Sequence, residues 1–280
     1  MGAELGLVAG AGALPRLVLA ACRASSRAVF VLAIEGHADP GLVVGVPHAW
    51  VRLGAAAGAV GRLRAEGVRS VVLAGAVRRP SLAELRPDFA TLRFLTGAAR
   101  HARGDDALLK AVVRAIEAEG FAVMAPEVLV GDLVMPAGPL GRLAVPHAAW
   151  DDIRRGAAVL RAMGHADVGQ AVVVQQGIVL AVEAAEGTDA MIARAGTLAR
   201  GGLGGVLVKL GKPGQERRAD RPTIGPETVA AAAAAGLRGI AAEADEALVV
   251  DRAAVAAAAD LAGLFVVGIR ADPLFSDMAG

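Results

Sequence analysis

The residues best suited to chemistry lie in a charged loop that follows an apolar segment and leads into a predicted helix. The sequence contains three lysines, and two of them, Lys209 and Lys212, lie in this loop. A lysine ammonium is a compact point charge that suits a phosphate or a carboxylate. With Asp220 as its acidic member, the loop is interpreted as an anion-handling site. The alternative is a solvated surface loop.

Acidic residues accompany this loop in the second half of the chain, namely Glu183, Glu186, Asp189 and Asp220. Their carboxylates are hard oxygen ligands, which fit Mg²⁺ and a phosphate better than zinc. Thr188 and Asp189 also start a predicted helix, so an ordinary helix cap is the alternative interpretation for that pair.

A glycine turn near the start of the chain is a second candidate for anion binding. Gly10-Ala11-Gly12 follows a short apolar run and precedes residues with helical spacing. Such a turn directs backbone N–H groups and a helix N-terminus toward an anion. The full dinucleotide fingerprint requires a third glycine near position 15, where this chain has Pro15.

Two further charged pairs lie at predicted element ends. Arg78 and Arg79 follow a predicted strand, and ligands of open α/β sheets gather at the carboxyl ends of strands. A surface pair is the alternative. Asp105 and Asp106 begin a predicted helix, where capping of free N–H groups explains one of them. The second carboxylate is a candidate to face a ligand or metal.

The order of apolar runs and helical patterns predicts an α/β protein with two domains. An N-terminal Rossmann-like domain with a parallel sheet is expected over residues 1–130, and a C-terminal α/β domain over 131–280. A proline-rich stretch at 126–146 contains the predicted boundary. Predicted strands are 5–9, 28–34, 70–75, 121–125, 203–208, 239–243, 248–251 and 264–268, with a hairpin over 171–183; predicted helices are 14–21, 55–66, 104–119, 151–163, one from 226 and one over 251–262.

Composition excludes several classes of protein. The net charge of +1 and the 3% of aromatic residues argue against nucleic acid as a partner. No run approaches the roughly 20 apolar residues of a spanning helix, and the N-terminal residues lack a signal-peptide pattern, so a cytoplasmic protein is expected. The single cysteine, Cys22, excludes an internal disulfide and is predicted to be buried on a helix face.

These features together predict a site between the two domains for a phosphate-bearing substrate. A divalent ion would neutralise the phosphate oxygens, and lysines would stabilise charge on the leaving group. Two alternatives stay open: a nucleotide-sugar or dinucleotide-binding Rossmann protein without hydrolase activity, and a non-catalytic regulatory or adaptor domain.

Six segments of the chain match those of a known enzyme family: Leu5–Pro15, Leu73–Pro80, Gly104–Leu109, Val179–Met191, Lys209–Glu216 and Asp220–Gly225. The likeness covers nearly the whole chain, and the Glu-Gly-Thr-Asp and Lys-Pro-x-Gln segments are specific together. On these segments the sequence resembles the UDP-2,3-diacylglucosamine pyrophosphatases of the LpxI type, which are enzymes of lipid A synthesis.

The resemblance implies Mg²⁺-dependent hydrolysis of UDP-2,3-diacylglucosamine to 2,3-diacylglucosamine 1-phosphate and UMP, with substrate bound between two domains and Asp220 essential. It implies metal ligands among Asp220, Asp189 and Asp105. It also implies a lipid-linked UDP-sugar as partner, and it leaves open a homodimer and peripheral contact with the inner membrane. The expected substrate-binding residues are Gly10, Ala11, Gly12, Gly75, Arg78, Gln170, Glu186, Gly187, Thr188, Lys209, Lys212 and Gln215.

One departure from the family pattern is visible in the first loop. The family usually has three glycines there, and this chain has Ala11 in one of the places. A methyl group at that position narrows the space through which a ligand can approach the backbone.

Overall fold

A computed structural model describes residues 3–78, 87–89, 91 and 105–270, with the backbone alone for residue 105. The sequence-based interpretations of Arg79 and of the Asp105 side chain lie outside the described residues. Contacts divide the chain into a first unit, Met1–Gly131 with Glu216–Asp220, and a second unit, Asp132–Gln215 with Arg221–Gly280. The chain therefore leaves the second unit after Gln215 and returns to it at Arg221.

The first unit contains a parallel sheet with the strand order β3-β2-β1-β4-β5 among the described residues. Its three central strands are apolar runs buried on both faces, as is usual for parallel sheets covered by helices. The strands are β1 (Leu5–Ala9), β2 (Val29–Ile34), β3 (His48–Val51), β4 (Ser70–Ala74) and β5 (Ala122–Met124), and the helices are α1 (Leu14–Ala24), α2 (Ala56–Ala65) and α3 (Asp105–Ala118).

Side-chain alternation along these strands separates two hydrophobic layers. Leu5, Leu7 and Ala9 of β1 pack in one layer with Val18 and Cys22 of α1. Val8, on the opposite face, belongs to the other layer, which includes residues of α2 and α3. Cys22 is buried, as predicted, and burial raises the pKa of its thiol.

The N-terminus of α2 is capped from a distant segment. Oδ2 of Asp88 accepts a hydrogen bond from the N–H of Ala57 over 2.9 Å, and Oγ1 of Thr91 accepts one from Ala56 over 3.2 Å. These contacts satisfy two of the N–H groups that a helix start leaves without an intrahelical partner.

The second unit is built on a mixed sheet with the order β6-β13-β11-β9-β7-β8. Strands β9, β11 and β13 are mutually parallel, and β7 runs antiparallel to β9. The strands are β6 (Gly138–Pro139), β7 (Ala171–Gln175), β8 (Ile178–Val182), β9 (Val206–Lys209), β11 (Gly239–Glu243) and β13 (Phe265–Ile269); a separate pair comprises β10 (Thr223–Ile224) and β12 (Leu248–Val249).

Helices cover both faces of this sheet. Helix α4 (His147–Gly164) packs with Val172, Val206 and Val208 in one layer. The other layer contains residues of α5 (Thr188–Thr197), α6 (Pro226–Ala234) and α7 (Arg252–Ala262).

Several local predictions in this unit are confirmed. The hairpin turns at Gln176 and Gly177, whose φ values of 52° and 74° are typical of a type I′ turn. Helix α6 starts with Pro226, a favoured first position. Asp251 caps α7 by accepting a hydrogen bond from Ala254 N–H over 3.0 Å. The α/β fold class with two domains, and a parallel sheet in the first, is also confirmed.

Candidate functional site

The glycine turn of the first unit lies at the carboxyl end of β1, beside the end of β4. Strand order reverses between these two neighbours, since β2 and β3 lie on one side of β1 and β4 and β5 on the other. Such a switch point is where open α/β sheets bind ligands. Gly10, Ala11, Gly12, Gly75 and the exposed Arg78 all follow these two strands, so the structure brings this predicted set together.

The two loops are joined by backbone hydrogen bonds. Ala11 N–H donates to Ala76 O over 2.8 Å, Ala76 N–H donates back to Ala11 O over 2.9 Å, and Gly10 N–H donates to Ala74 O over 2.8 Å. Because Ala11 makes these contacts through its backbone, an alanine serves there as well as a glycine.

Close packing explains the glycines at positions 10 and 75. A Cβ on Gly10 would lie 2.5 Å from Ala76 O, and one on Gly75 would lie 2.5 Å from Ala11 O. Gly75 also has φ of +92°, a conformation that side chains disfavour. Gly12 differs, because no atom lies within 4 Å of its Cβ position. The open face of the turn is therefore at Gly12.

The segment Glu216–Asp220 packs against α3 in the first unit. Glu216 N–H donates to Oδ1 of Asp106 over 2.8 Å, while Oδ2 of Asp106 lies 2.6 Å from the Lys110 ammonium. Asp220 N–H donates to Glu216 O over 2.8 Å. The backbone at Asp220 is thus fixed through Glu216 to α3. Asp106, one of the two carboxylates predicted at this helix start, serves as the acceptor for this segment.

Arg218 links the same segment to α3 through two carboxylates. Its Nε and Nη2 donate to Glu216 over 2.8 and 2.9 Å, and its Nη1 donates to Glu117 over 2.6 Å. Hydrogen bonds from Arg218 hold the pKa of Glu216 below its usual value. The two carboxylates raise the pKa of the Arg218 guanidinium in turn.

In the second unit, a series of hydrogen bonds joins side chains at the carboxyl ends of β8 and β9. Lys209, the last residue of β9 and 5% exposed, donates from Nζ to Oγ1 of Thr188 over 2.8 Å. Thr188 donates to Oε1 of Glu183 over 2.5 Å. The other oxygen of Glu183 accepts from Gln170 N–H over 2.9 Å. Thr188 makes these contacts instead of the helix cap considered as its alternative, since α5 has no side-chain cap bond.

Gln170 extends this network to residues 210–215, which form the lysine loop. Nε2 of Gln215 donates to Oε1 of Gln170 over 3.0 Å, and Oε1 of Gln215 accepts from Lys212 N–H over 2.9 Å. The Lys212 ammonium lies 2.5 Å from Oδ1 of Asp167. Gln170, Thr188, Lys209, Lys212 and Gln215 therefore lie in one hydrogen-bonded group.

Among the described residues, Glu186, Gly187 and Asp189 lie outside this hydrogen-bonded group. Oε1 of Glu186 lies 2.6 Å from Nη2 of Arg194, and that hydrogen bond lowers the pKa of Glu186. Gly187 is the residue before α5, and Asp189 is exposed in the first turn of that helix. The acidic residues of the second half are thus distributed among different partners, and Asp220 belongs to the first unit.

Sequence reasoning missed Asp167 and did not assign Glu243 to the site. Glu243 ends β11, and its Oε2 accepts from Gly211 N–H over 2.8 Å. Its signal was a carboxylate at the end of an otherwise apolar strand, where α/β proteins gather functional groups. Asp167 lies in a turn with φ of +54° and had no comparable signal.

Within residues 3–78, 87–89, 91 and 105–270, no group of three or more histidine, cysteine, aspartate or glutamate side chains is placed to hold a metal ion. The same residues contain no helix that is long and apolar enough to cross a membrane. Two of the buried carboxylates, Glu183 and Asp106, accept hydrogen bonds from protein donors.

Fold and site together define a class: a two-domain α/β protein with lysine, threonine and amide side chains at the carboxyl edge of its second sheet. Comparison with known protein families identifies the family. The LpxI N-terminal domain matches residues 4–133 and the LpxI C-terminal domain matches residues 136–267, so the chain belongs to the LpxI family.

A curated relative extends this match along the full length. The protein named UDP-2,3-diacylglucosamine pyrophosphatase LpxI from Caulobacter vibrioides is 45% identical over 273 residues, which cover 95% of this chain and 97% of the relative.

Proposed function

We propose that this chain hydrolyses the pyrophosphate bond of UDP-2,3-diacylglucosamine to give 2,3-diacylglucosamine 1-phosphate and UMP, a step of lipid A synthesis. The observation that carries the proposal is the 45% identity to a protein of that name, over nearly the whole of both chains. The residues at the carboxyl edge of the second sheet support it, because their chemistry suits phosphate oxygens.

Hydrogen bonds fix the position of the Lys209 ammonium. The ammonium is held by Oγ1 of Thr188 over 2.8 Å and by Thr223 O over 3.0 Å. Donors that are fixed before the reaction stabilise developing charge without reorganising during it. We assign Lys209 to the phosphate oxygens, with Thr188 and Glu183 fixing its position. Asp220 is the proposed catalytic residue, which orients the attacking water.

Mg²⁺ is the proposed metal, with ligands drawn from Asp220, Asp189 and Asp105. The donors fit this ion, because Mg²⁺ is commonly bound by one or two carboxylates together with substrate phosphates and waters. Asp189 is exposed and Asp220 is half-buried, so a carboxylate remains within reach of solvent at each position. When bound, Mg²⁺ would neutralise charge on the phosphate oxygens.

The acyl chains of the substrate should let the protein discriminate among UDP-sugars by binding affinity. Burial of each methylene contributes about 0.8 kcal/mol, so UDP-2,3-diacylglucosamine should bind far more tightly than UDP-GlcNAc. A lipid substrate also implies peripheral contact with the inner membrane, which co-sedimentation with substrate-containing vesicles would measure.

The deciding experiment is release of UMP from UDP-2,3-diacylglucosamine by the purified chain, with Mg²⁺, with EDTA, and with Mg²⁺ restored after EDTA. We expect UMP only when Mg²⁺ is present. Calorimetric titration of Mg²⁺ into the protein with UMP gives a second readout of the metal. Tight substrate binding without UMP release would favour the alternative, a nucleotide-sugar-binding protein without hydrolase activity. Equal turnover of UDP-GlcNAc would contradict the lipid assignment.

A further inference from the structure

Two buried carboxylates, Glu243 at the end of β11 and Asp152 in α4, make the same kind of contact. Glu243, 7% exposed, ends the strand and accepts from Gly211 N–H over 2.8 Å and from Nη2 of Arg161 over 3.2 Å. Asp152, 1% exposed, accepts from Gly177 N–H over 2.7 Å and pairs with Arg238, which precedes the strand. Each carboxylate accepts a hydrogen bond from a backbone N–H and pairs with a guanidinium. The two N–H groups belong to different loops.

The loop held by Glu243 carries two residues of the candidate site. Leu210 N–H donates to Gln170 O over 3.0 Å, and Gly211 N–H follows with its bond to Glu243. Lys212 and Gln215 come next and are joined by the bond from Lys212 N–H to the Gln215 side chain. Glu243 therefore anchors the residue directly before Lys212.

We infer that Glu243 is a positioning residue for hydrolysis, acting through Gly211 on Lys212 and Gln215; the inference rests on the proposed function. The Glu243 side chain spans from β11 to the loop, and Arg161 of α4 balances its buried charge. Without the carboxylate, Gly211 N–H loses its acceptor and the loop is free to shift. A displacement of about 1 Å in a positioning element can lower turnover roughly 100-fold.

Asp152 provides the matched control, because it is also buried and has the same two kinds of partner. Its backbone partner, Gly177, lies in the hairpin turn and not in the lysine loop. Loss of either carboxylate leaves a guanidinium and an N–H with fewer partners, so both changes should lower stability. Only the change at position 243 should affect the reaction.

The experiment compares Glu243→Ala and Asp152→Ala in the full chain, with turnover expressed per folded molecule. We expect a 10- to 100-fold lower kcat for Glu243→Ala, with KM changed by less than about threefold because the remote acyl and nucleotide contacts remain. Asp152→Ala should retain kcat within about twofold. Hydrogen exchange of the 211–215 amides should accelerate in Glu243→Ala alone.

A third variant keeps the test decisive if Glu243→Ala fails to fold. Glu243→Gln combined with Arg161→Met removes both charges but leaves an amide oxygen to accept from Gly211 N–H. We expect this double variant to recover most of the parent kcat and the slow exchange of residues 211–215. Parent-like loop exchange and kcat in Glu243→Ala, or equal kcat losses in the Asp152 control, would overturn the inference. Failure of the parent to release UMP would instead overturn the proposed function.

Discussion

The Lys212 ammonium lies 2.5 Å from Oδ1 of Asp167, and their side chains are 9% and 19% exposed. A lysine that the sequence assigned to phosphate is therefore paired with a carboxylate of the protein. The pair holds the ammonium in one place, but it also means that Lys212 contributes to folding. Any test of its catalytic role must separate the two contributions.

Lys212→Met should lower the free energy of unfolding by about 1–3 kcal/mol, because it removes the ammonium that lies 2.5 Å from the mostly buried Asp167 carboxylate. Denaturant unfolding of the purified variants measures the effect.

The double variant Lys212→Met with Asp167→Asn separates stability from turnover. Removal of both charges should recover most of the lost stability. If the ammonium acts on the pyrophosphate, kcat of the double variant should remain about 10- to 100-fold below that of the parent. Parent-like kcat in the double variant would make Lys212 a structural residue.

Acidification should loosen the segment Glu216–Asp220. Hydrogen bonds from Arg218 lower the pKa of Glu216 in the folded protein, so below the ordinary glutamate range, near pH 4.5, the unfolded chain binds more protons than the folded one. The stabilisation is present above that pH and is lost as the pH falls through the lowered pKa. Lys110 and Asp106 also face this group.

Glu216→Gln should flatten the dependence of unfolding free energy on pH below the ordinary glutamate value of about 4.5. The difference should be at most about 1 kcal/mol, since solvent screens ion pairs near the surface. As a control, Asp132→Asn changes a carboxylate that is 97% exposed and should leave the pH profile unchanged. An identical slope for Glu216→Gln and the parent would show that this contact does not couple to folding.

The strands and helices could be predicted because they depend on local patterns. Apolar runs and helical spacing located most of the described elements to within a few residues. β3 and β6 were missed, since β3 is a half-exposed edge strand and β6 has two residues, Gly138 and Pro139. Both exist through pairing with β2 and β13, which are distant in sequence.

The candidate site could be predicted only as a set of residue types. Lysine scarcity and the Glu-Gly-Thr-Asp segment singled out residues that the fold does connect, including Lys209 and Thr188. The packing of Glu216–Asp220 on α3 and the pairing of Lys212 with Asp167 join positions 110 and 45 residues apart. No local pattern specifies such long-range partners, so they became visible only in the structure.

Gly10→Ala should destabilise the first unit by roughly 1–3 kcal/mol, as overpacking typically does. The added methyl would lie 2.5 Å from Ala76 O and 2.9 Å from Gly75 O, so the two loops would have to separate. Gly61→Ala is the control, because position 61 is exposed within α2 and no atom lies within 4 Å. That change should stabilise the helix by about 0.5–1 kcal/mol. Thermal midpoints that shift in the same direction would contradict this account.

Asp220→Ala should abolish hydrolysis while leaving substrate binding largely intact. The predicted role of the carboxylate is to orient water or bind Mg²⁺, and either contact acts mainly in the transition state. Binding draws on the nucleotide, the sugar and the acyl chains, so loss of such a contact lowers kcat more than affinity.

Binding of UDP-2,3-diacylglucosamine to the folded variant, measured by calorimetry, tests this directly, and uncleaved substrate should be recoverable from the complex. The segment should keep its place, because Asp220 is joined to Glu216 through its backbone N–H, which alanine retains. Thermal unfolding and hydrogen exchange of residues 216–220 provide the control for that point. Activity within about tenfold of the parent would remove Asp220 from the mechanism, whereas lost affinity in a folded variant would make it a substrate anchor.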